Sequence, residues 1–245
     1  MVYRRAVLSL LFVASACGDD GGTPQDAVSD TVVPVDIDNG SCGTQVRFTG
    51  EYIDWDSHAS FCGINAAVVE VPGGAMDSTA PNGRFDLCLP DMATVRLDIE
   101  QPTGNSQCTV LPSMYTTPTI LVANKDVITS GAMFSGRSFT ADRRSAFFKE
   151  VVGADFDATK AHVFVHIAGA ERNVSLTAAH GPAQTVTVGT VATDWAAGST
   201  GTDVFFPNVD VGNGTTMLSA AGGAVGTGSI PLVAGTITNV TLFAQ

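Results

Sequence analysis

The sequence predicts an all-β fold: one or two small antiparallel β-sandwich modules joined by a segment with one short helix. Three observations carry this. Beyond about residue 41 the chain is rich in Val, Thr, Gly and Ala, in short apolar alternations separated by turn residues. Thr94–Glu100 alternates with a period of two, Val95, Leu97 and Ile99 pointing one way and Arg96, Asp98 and Glu100 the other, the pattern of a strand with one buried and one wet face. Arg84–Leu89 repeats it, with Phe85, Leu87 and Leu89 inward and Cys88 on the outward face with Arg84 and Asp86.

The first sixteen residues are of another kind. Arg4 and Arg5 make a basic head, Ala6–Ala16 is an apolar run broken only by Ser9 and Ser15, and Ala14-Ser15-Ala16-Cys17 leads into Gly18-Asp19-Asp20. The apolar run is too short to cross a hydrocarbon core about 30 Å thick, and a positive head, short apolar middle and small residues at a cut mark an export signal. The segment resembles a bacterial lipoprotein signal peptide with its lipobox, departing at Ala14, where leucine is more common. The resemblance implies cleavage before Cys17, acylation there, and anchoring in the cell envelope, at the outer membrane. The competing reading is an ordinary secretory signal cut after Ala16.

Residues 17–41 form an acidic tether. Asp19, Asp20, Asp26, Asp30, Asp36 and Asp38 occur with no Lys or Arg, and Pro24, Pro34 and several glycines oppose regular structure. A flexible coil of this length reaches roughly 25–30 Å. The full chain carries a net charge of −12, with 12 basic and 24 acidic residues. Removing residues 1–16 takes away Arg4 and Arg5 and no acid, which leaves −14. No basic cluster exceeds Arg143-Arg144. This excludes a nucleic-acid footprint and electrostatic docking on anionic lipid. The expected membrane link is the acyl chains on Cys17.

Cysteine usage fits export. Of Cys17, Cys42, Cys62, Cys88 and Cys108, acylation accounts for the first, and four remain for two disulfides. Three pairings are open. Cys62–Cys88 with Cys42–Cys108 is preferred here. No Cys-x-x-Cys pair supports zinc.

Residues 42–112 make the first module. Ala66–Val71 (Ala-Ala-Val-Val-Glu-Val), Ser78–Leu87 (Ser-Thr-Ala-Pro-Asn-Gly-Arg-Phe-Asp-Leu), Leu89-Pro90 and Val95–Ile99 resemble a carboxypeptidase regulatory-like domain, a small transthyretin-type β-sandwich. In this resemblance Asn82-Gly83 supplies the positive φ angles of a tight turn and Phe85 plugs the core. It implies a fold and no activity.

Residues 113–160 connect the modules through a helix over about 141–152. Thr140 is placed to cap it, Asp142 lies in its first turn, Gly153 can end it, and Phe147, Phe148, Val151 and Val152 form a stripe that packs on a sheet. Residues 161–245 make the second module. Val174–Leu176 and Val204–Leu218 echo the aromatic, loop and return strand of the first, and Ser229–Val233 and Thr236–Phe243 add strands.

Candidate chemistry is sparse. Asp54-Trp55-Asp56-Ser57-His58 is the densest polar group, and Asp194-Trp195 offers a similar pair. Trp55 or Trp195 with these carboxylates makes a candidate sugar platform, the ring stacking on pyranose CH groups. The alternative is that each tryptophan packs at a sandwich end. On a strand, Asp54 and Asp56 share a face about 7 Å apart, which admits an acid pair for glycoside hydrolysis. His162 and His166 share a strand face about 13 Å apart, too far for one metal ion, and are expected to be exposed or at an edge. Nucleophile, zinc-protease and phosphate-loop motifs are absent from the sequence.

The expectation is a non-enzymatic envelope lipoprotein, without cofactor or metal, acting as a binding or structural scaffold toward polysaccharide or another envelope protein. The first alternative is a carbohydrate-binding module using exposed tryptophan. The second is an envelope hydrolase or its accessory subunit.

Overall fold

The computed structural model describes residues 42–55, 62–100, 115–186 and 195–245. The signal segment, Cys17, the tether, Asp56, His58, Cys108 and Asp194 lie outside the described residues.

The fold is mostly β, as the alternating segments require. Its strands are β1 (Val46–Asp54), β2 (Val68–Glu70), β3 (Met76–Ser78), β4 (Arg84–Leu89), β5 (Thr94–Glu100), β6 (Thr119–Asn124) and β7 (Phe134–Ser138), then β8 (Ala161–Gly169), β9 (Arg172–Leu176), β10 (Gln184–Val186), β11 (Ala196–Ala197), β12 (Thr200–Gly201), β13 (Asp203–Val209), β14 (Thr215–Ala220), β15 (Gly228–Pro231) and β16 (Ile237–Ala244). Two helices, α1 (Lys125–Thr129) and α2 (Ala141–Phe147), fall between β6 and β8.

The strands form a three-stranded sheet β4-β1-β7, a nine-stranded sheet β11-β10-β13-β8-β16-β6-β5-β2-β3, and a four-stranded sheet β12-β9-β14-β15. The nine-stranded sheet passes through both expected modules. β6 and β16 pair in parallel, Ile237 opposite Thr119 and Val240 opposite Val122. The layers at residues 42–112 and 161–245 are thus halves of one continuous sheet, and the connecting segment supplies its junction strand β6 as well as β7.

Register assigns the two faces. Leu121, Leu97 and Ile99 meet Phe48, Tyr52, Phe85 and Phe134 of the three-stranded sheet in one core. On the opposite face Val122, Val163, Val165, Val204, Val240 and Leu242 meet Val174, Leu218 and Ile230 of the four-stranded sheet. Each sandwich thus has its second layer on a different side of the shared sheet. Where the three-stranded sheet stops, α2 continues the cover, and Phe147 and Phe148 pack on Phe164, Phe205 and Ile237.

The helix begins and ends at the residues expected to cap it. Thr140 Oγ1 accepts the Arg143 N–H at 3.3 Å, and Gly153 closes the segment at φ 70°. Between them α2 widens into a π-helical turn at Phe148–Val152. The wider turn lets the consecutive rings of Phe147 and Phe148 both reach the core.

Three details depart from expectation. First, the pairing is not wholly antiparallel: β1–β7, β6–β16 and β8–β16 are parallel. β16 is covered on both faces, the setting in which parallel strands occur. Second, the turn before β4 is a four-residue turn from Ala80 to Gly83, with Gly83 N–H donating to Ala80 O at 2.7 Å. Pro81 occupies its second position, and only Gly83, not Asn82, takes a positive φ, 77°. Third, Cys88 is bonded to Cys42 rather than to Cys62. The register of β1 against β4 places Arg47 opposite Cys88, and a turn donating Gln45 N–H to Cys42 O folds Cys42 back over that end of the sheet. The Cys42–Cys88 bond excludes both preferred pairs, Cys62–Cys88 and Cys42–Cys108, and Cys62 is disulfide-bonded as well.

Candidate functional site

Of the residues proposed for a sugar platform, Asp54, Trp55 and Trp195 are described, and the two tryptophans stack on each other. β1 delivers Trp55 beneath α2, where it has no solvent-accessible surface. Its indole stacks on Phe139 at 3.8 Å between centroids, and Phe147 and Phe205 approach edge-on at 5.1 Å and Phe164 at 5.3 Å. Trp195 lies parallel to it at 5.7 Å and is partly buried. Asp54 accepts the Tyr115 hydroxyl at 2.6 Å. The exposed-tryptophan reading therefore fails at Trp55, because the apolar cluster around it outweighs the two flanking carboxylates that suggested a polar surface.

A buried charged cluster that sequence reading missed lies beside this core, on the same face of the nine-stranded sheet. β8 and β13 set His166 opposite Asp203. His166 Nδ1 lies 2.6 Å from Asp203 Oδ1, and the aspartate is fully buried while the imidazole is 25 % exposed. From the three-stranded sheet, Arg137 brings its guanidinium to 3.7 Å from Asp203 Oδ2, donates to the Trp55 carbonyl at 3.3 Å, and sits 5.4 Å from the Phe164 ring centre. Glu51 stands opposite Ser135 in the β1–β7 register. Burial holds its carboxyl above the usual range, while Ser135, Arg137, Arg84 and His166 pull it back down.

Asn239 on β16 ties the layers together at this point. Its amide accepts the Arg137 backbone N–H at 3.0 Å and donates to the Arg137 carbonyl at 3.5 Å. It thus takes the place of a neighbouring strand along the β7 edge and satisfies peptide groups that would be costly to bury unpaired. The only advance signals were an isolated Arg137 in a Ser/Phe-rich strand and an Asn within an otherwise apolar and threonine run.

His162 is also central rather than exposed. Its ring is buried, stacked on Phe156 at 4.4 Å, with Nδ1 accepting the Asn208 N–H at 3.1 Å. Burial lowers its pKa from 6.5 to about 4, and Arg144 adds to the effect. The unfolded chain therefore binds a proton at a pH where the folded chain does not, and stability falls as pH drops from 6.5 through about 4. The loss should approach about 3 kcal/mol. Glu51 works in the opposite direction, because a carboxyl raised by burial gains stability on acidification. Urea unfolding at pH 7 and pH 4 should show that His162→Phe flattens the acid loss. An unchanged pH dependence would contradict the assignment.

A depression of about 370 Å³ lies over β2, β5 and β6, with Glu70, Asp98 and Glu100 in its lining. These carboxylates project from one face of one sheet, Glu70 opposite Asp98, and do not confront each other across a cleft. Arg96 in the same depression binds Asp98 at 2.6 Å. Among the described residues no three His, Cys, Asp or Glu side chains converge as a metal site.

Fold and site together define a disulfide-bonded, strand-rich sandwich protein with a buried ionic junction. No family model matches the chain, and no curated protein matches it. Among solved structures, it is similar to the Bacillus anthracis TIE protein at a TM-score of 0.23 and 8% identity, over 82% of this chain and 34% of that one. The chain thus spans about a third of that protein chain's length.

Proposed function

We propose that this is a non-enzymatic lipoprotein of the cell envelope, held at the outer membrane by acyl chains on Cys17, whose β body is a rigid scaffold for binding at its surface. One observation carries the reading: the groups best suited to chemistry are committed to internal contacts. Trp55 is sealed in an aromatic core, Asp54 binds Tyr115, and Arg137 and Asp203 join two sheets. Export is supported by the signal-like residues 1–17 and by disulfide bonding of Cys42, Cys62 and Cys88.

The first sandwich is, on this reading, a carboxypeptidase regulatory-like domain. Support comes from the Ala80–Gly83 turn, the buried Phe85, and the passage of the chain from β4 in one layer to β5 in the other. β13 and β14 make the same passage between layers in the second half, which supports a second copy of the arrangement.

The hydrolase alternative has one observation in its favour, the close pair of partly exposed His166 and buried Asp203. The two readings separate in an assay of the purified full chain against ester, peptide and glycoside substrates. The scaffold reading predicts no turnover above that of His166→Gln. Turnover abolished by His166→Gln overturns it.

A further inference from the structure

The chain enters the first sandwich at Cys42, and the Cys42–Cys88 bond pins that entry to the end of β4. Register shows which turns share this end. β4 finishes at Leu89, opposite Val46, and residues 90–93 turn into β5. The start of β5 pairs with the end of β6, Thr94 opposite Asn124, and α1 and residues 130–133 follow before β7 begins. β2 runs antiparallel to β5, so residues 71–75, which turn β2 into β3, lie toward the same end. Each of the three turns has an exposed methionine in it or next to it: Met76 at 64 %, Met92 at 59 % and Met133 at 55 %. Among the described residues these are all the large apolar side chains that the first sandwich leaves exposed. Isolated apolar side chains are ordinary on a surface, but here they gather at the end that receives the tether.

We propose that, with Cys17 acylated as in the reading above, this end of the first sandwich docks on the bilayer that holds the anchor, its methionines entering the interfacial region. The occupant follows from where the chain leads. Residues 18–41 join Cys17 to this end, and a flexible coil of that length reaches roughly 25–30 Å. The turns are therefore held within reach of the headgroups, and docking becomes an intramolecular step at high effective concentration.

The contact is apolar. Interfacial binding grows with the apolar area buried, and the flexible methionine side chain adapts to an irregular surface. Lys125 beside these turns is paired with Asp91, and residues 18–41 are acidic, so anionic lipid has no basic cluster to hold here. A zwitterionic surface is the partner this end fits.

The intact native chain is inserted into preformed phosphatidylcholine vesicles and treated with peroxymonosulfate, an anionic oxidant. Mass spectrometry then reads sulfoxide formation at each methionine. Cys17→Ala, free in solution, is the reference, and Met217, 51 % exposed on β14 of the second sandwich, is the internal control. Met92 and Met133 are expected to oxidise about threefold or more slowly in the anchored chain, the slowing of an end docked about two-thirds of the time. Met217 should oxidise equally in both. Met92→Asp/Met133→Asp changes only exposed positions, so the unfolding midpoint should stay at the parent value while Met76 in the anchored variant oxidises at the free rate. Equal oxidation of Met92 and Met133 in anchored and free chains overturns the proposal, and acyl mass on Cys17 in the same sample leaves the anchoring intact. A chain without acyl mass overturns the anchoring and the docking with it. Protection in the free chain that grows with protein concentration assigns this end to a second copy and also overturns the proposal.

Discussion

Trp55→Ala is expected to destabilise the fold by about 4 kcal/mol, within the range for truncating a fully buried aromatic residue. The indole touches groups from five places in the chain: Phe139 before α2, Phe147 within it, Phe164 on β8, Phe205 on β13, and Trp195. Its loss opens a cavity where α2 meets the sheet, and the neighbouring Arg137, which hydrogen-bonds the Trp55 carbonyl, loses part of its packed surroundings. Urea unfolding followed by circular dichroism measures the effect. Trp195→Ala should cost much less, since its ring is only partly buried. A loss below about 1 kcal/mol for Trp55→Ala would mean that the ring is not a core element.

The second large effect is expected from the Cys42–Cys88 bridge, which closes a separation of 46 residues. Its removal in a Cys42→Ser/Cys88→Ser variant should cost about 4 kcal/mol, on the chain-entropy view that the bridge restricts the unfolded state. The bridge lies over the β1–β4 end of the three-stranded sheet, and Phe48 and Phe85 of those two strands fill the first core. The expected outcome is a lower unfolding midpoint with the secondary structure retained at low urea. A midpoint equal to that of the parent would show that the loop is held by other contacts.

Much of the architecture was legible from local pattern. Arg84–Leu89 and Thr94–Glu100 have one face wet and one buried, so their alternation showed which residues enter the core, as Phe85, Leu87, Leu97 and Ile99 do. The caps of α2 were legible because Thr140 and Gly153 act within one turn of the chain. α1 was missed, although Asn124 caps it through its side chain and Asp126 sits in its first turn. Five residues are too short to leave a helical period.

Long-range pairing was not legible. β16 is buried on both faces, so Thr238, Asn239 and Thr241 are as enclosed as Val240 and Leu242, and no alternation marks its neighbours. Its parallel partners, β6 and β8, are distant in sequence, and nothing local specifies them. The same limit hid the ionic junction. Arg137, His166 and Asp203 are ordinary residues in their own segments, and only the stacking of β7 over β8 and β13 assembles them. Trp55 misled because its immediate neighbours are acidic, whereas its environment is set by Phe139, Phe164 and Phe205.

The central claim, a lipid-anchored envelope scaffold, is tested most directly by the intact mass of the native chain purified from membranes. The account predicts a mature species that begins at Cys17 and carries acyl mass on that residue, and that is lost from the membrane fraction in Cys17→Ala. A species beginning at Cys17 without added lipid, or a Cys17→Ala chain that stays in the membrane fraction, would contradict it.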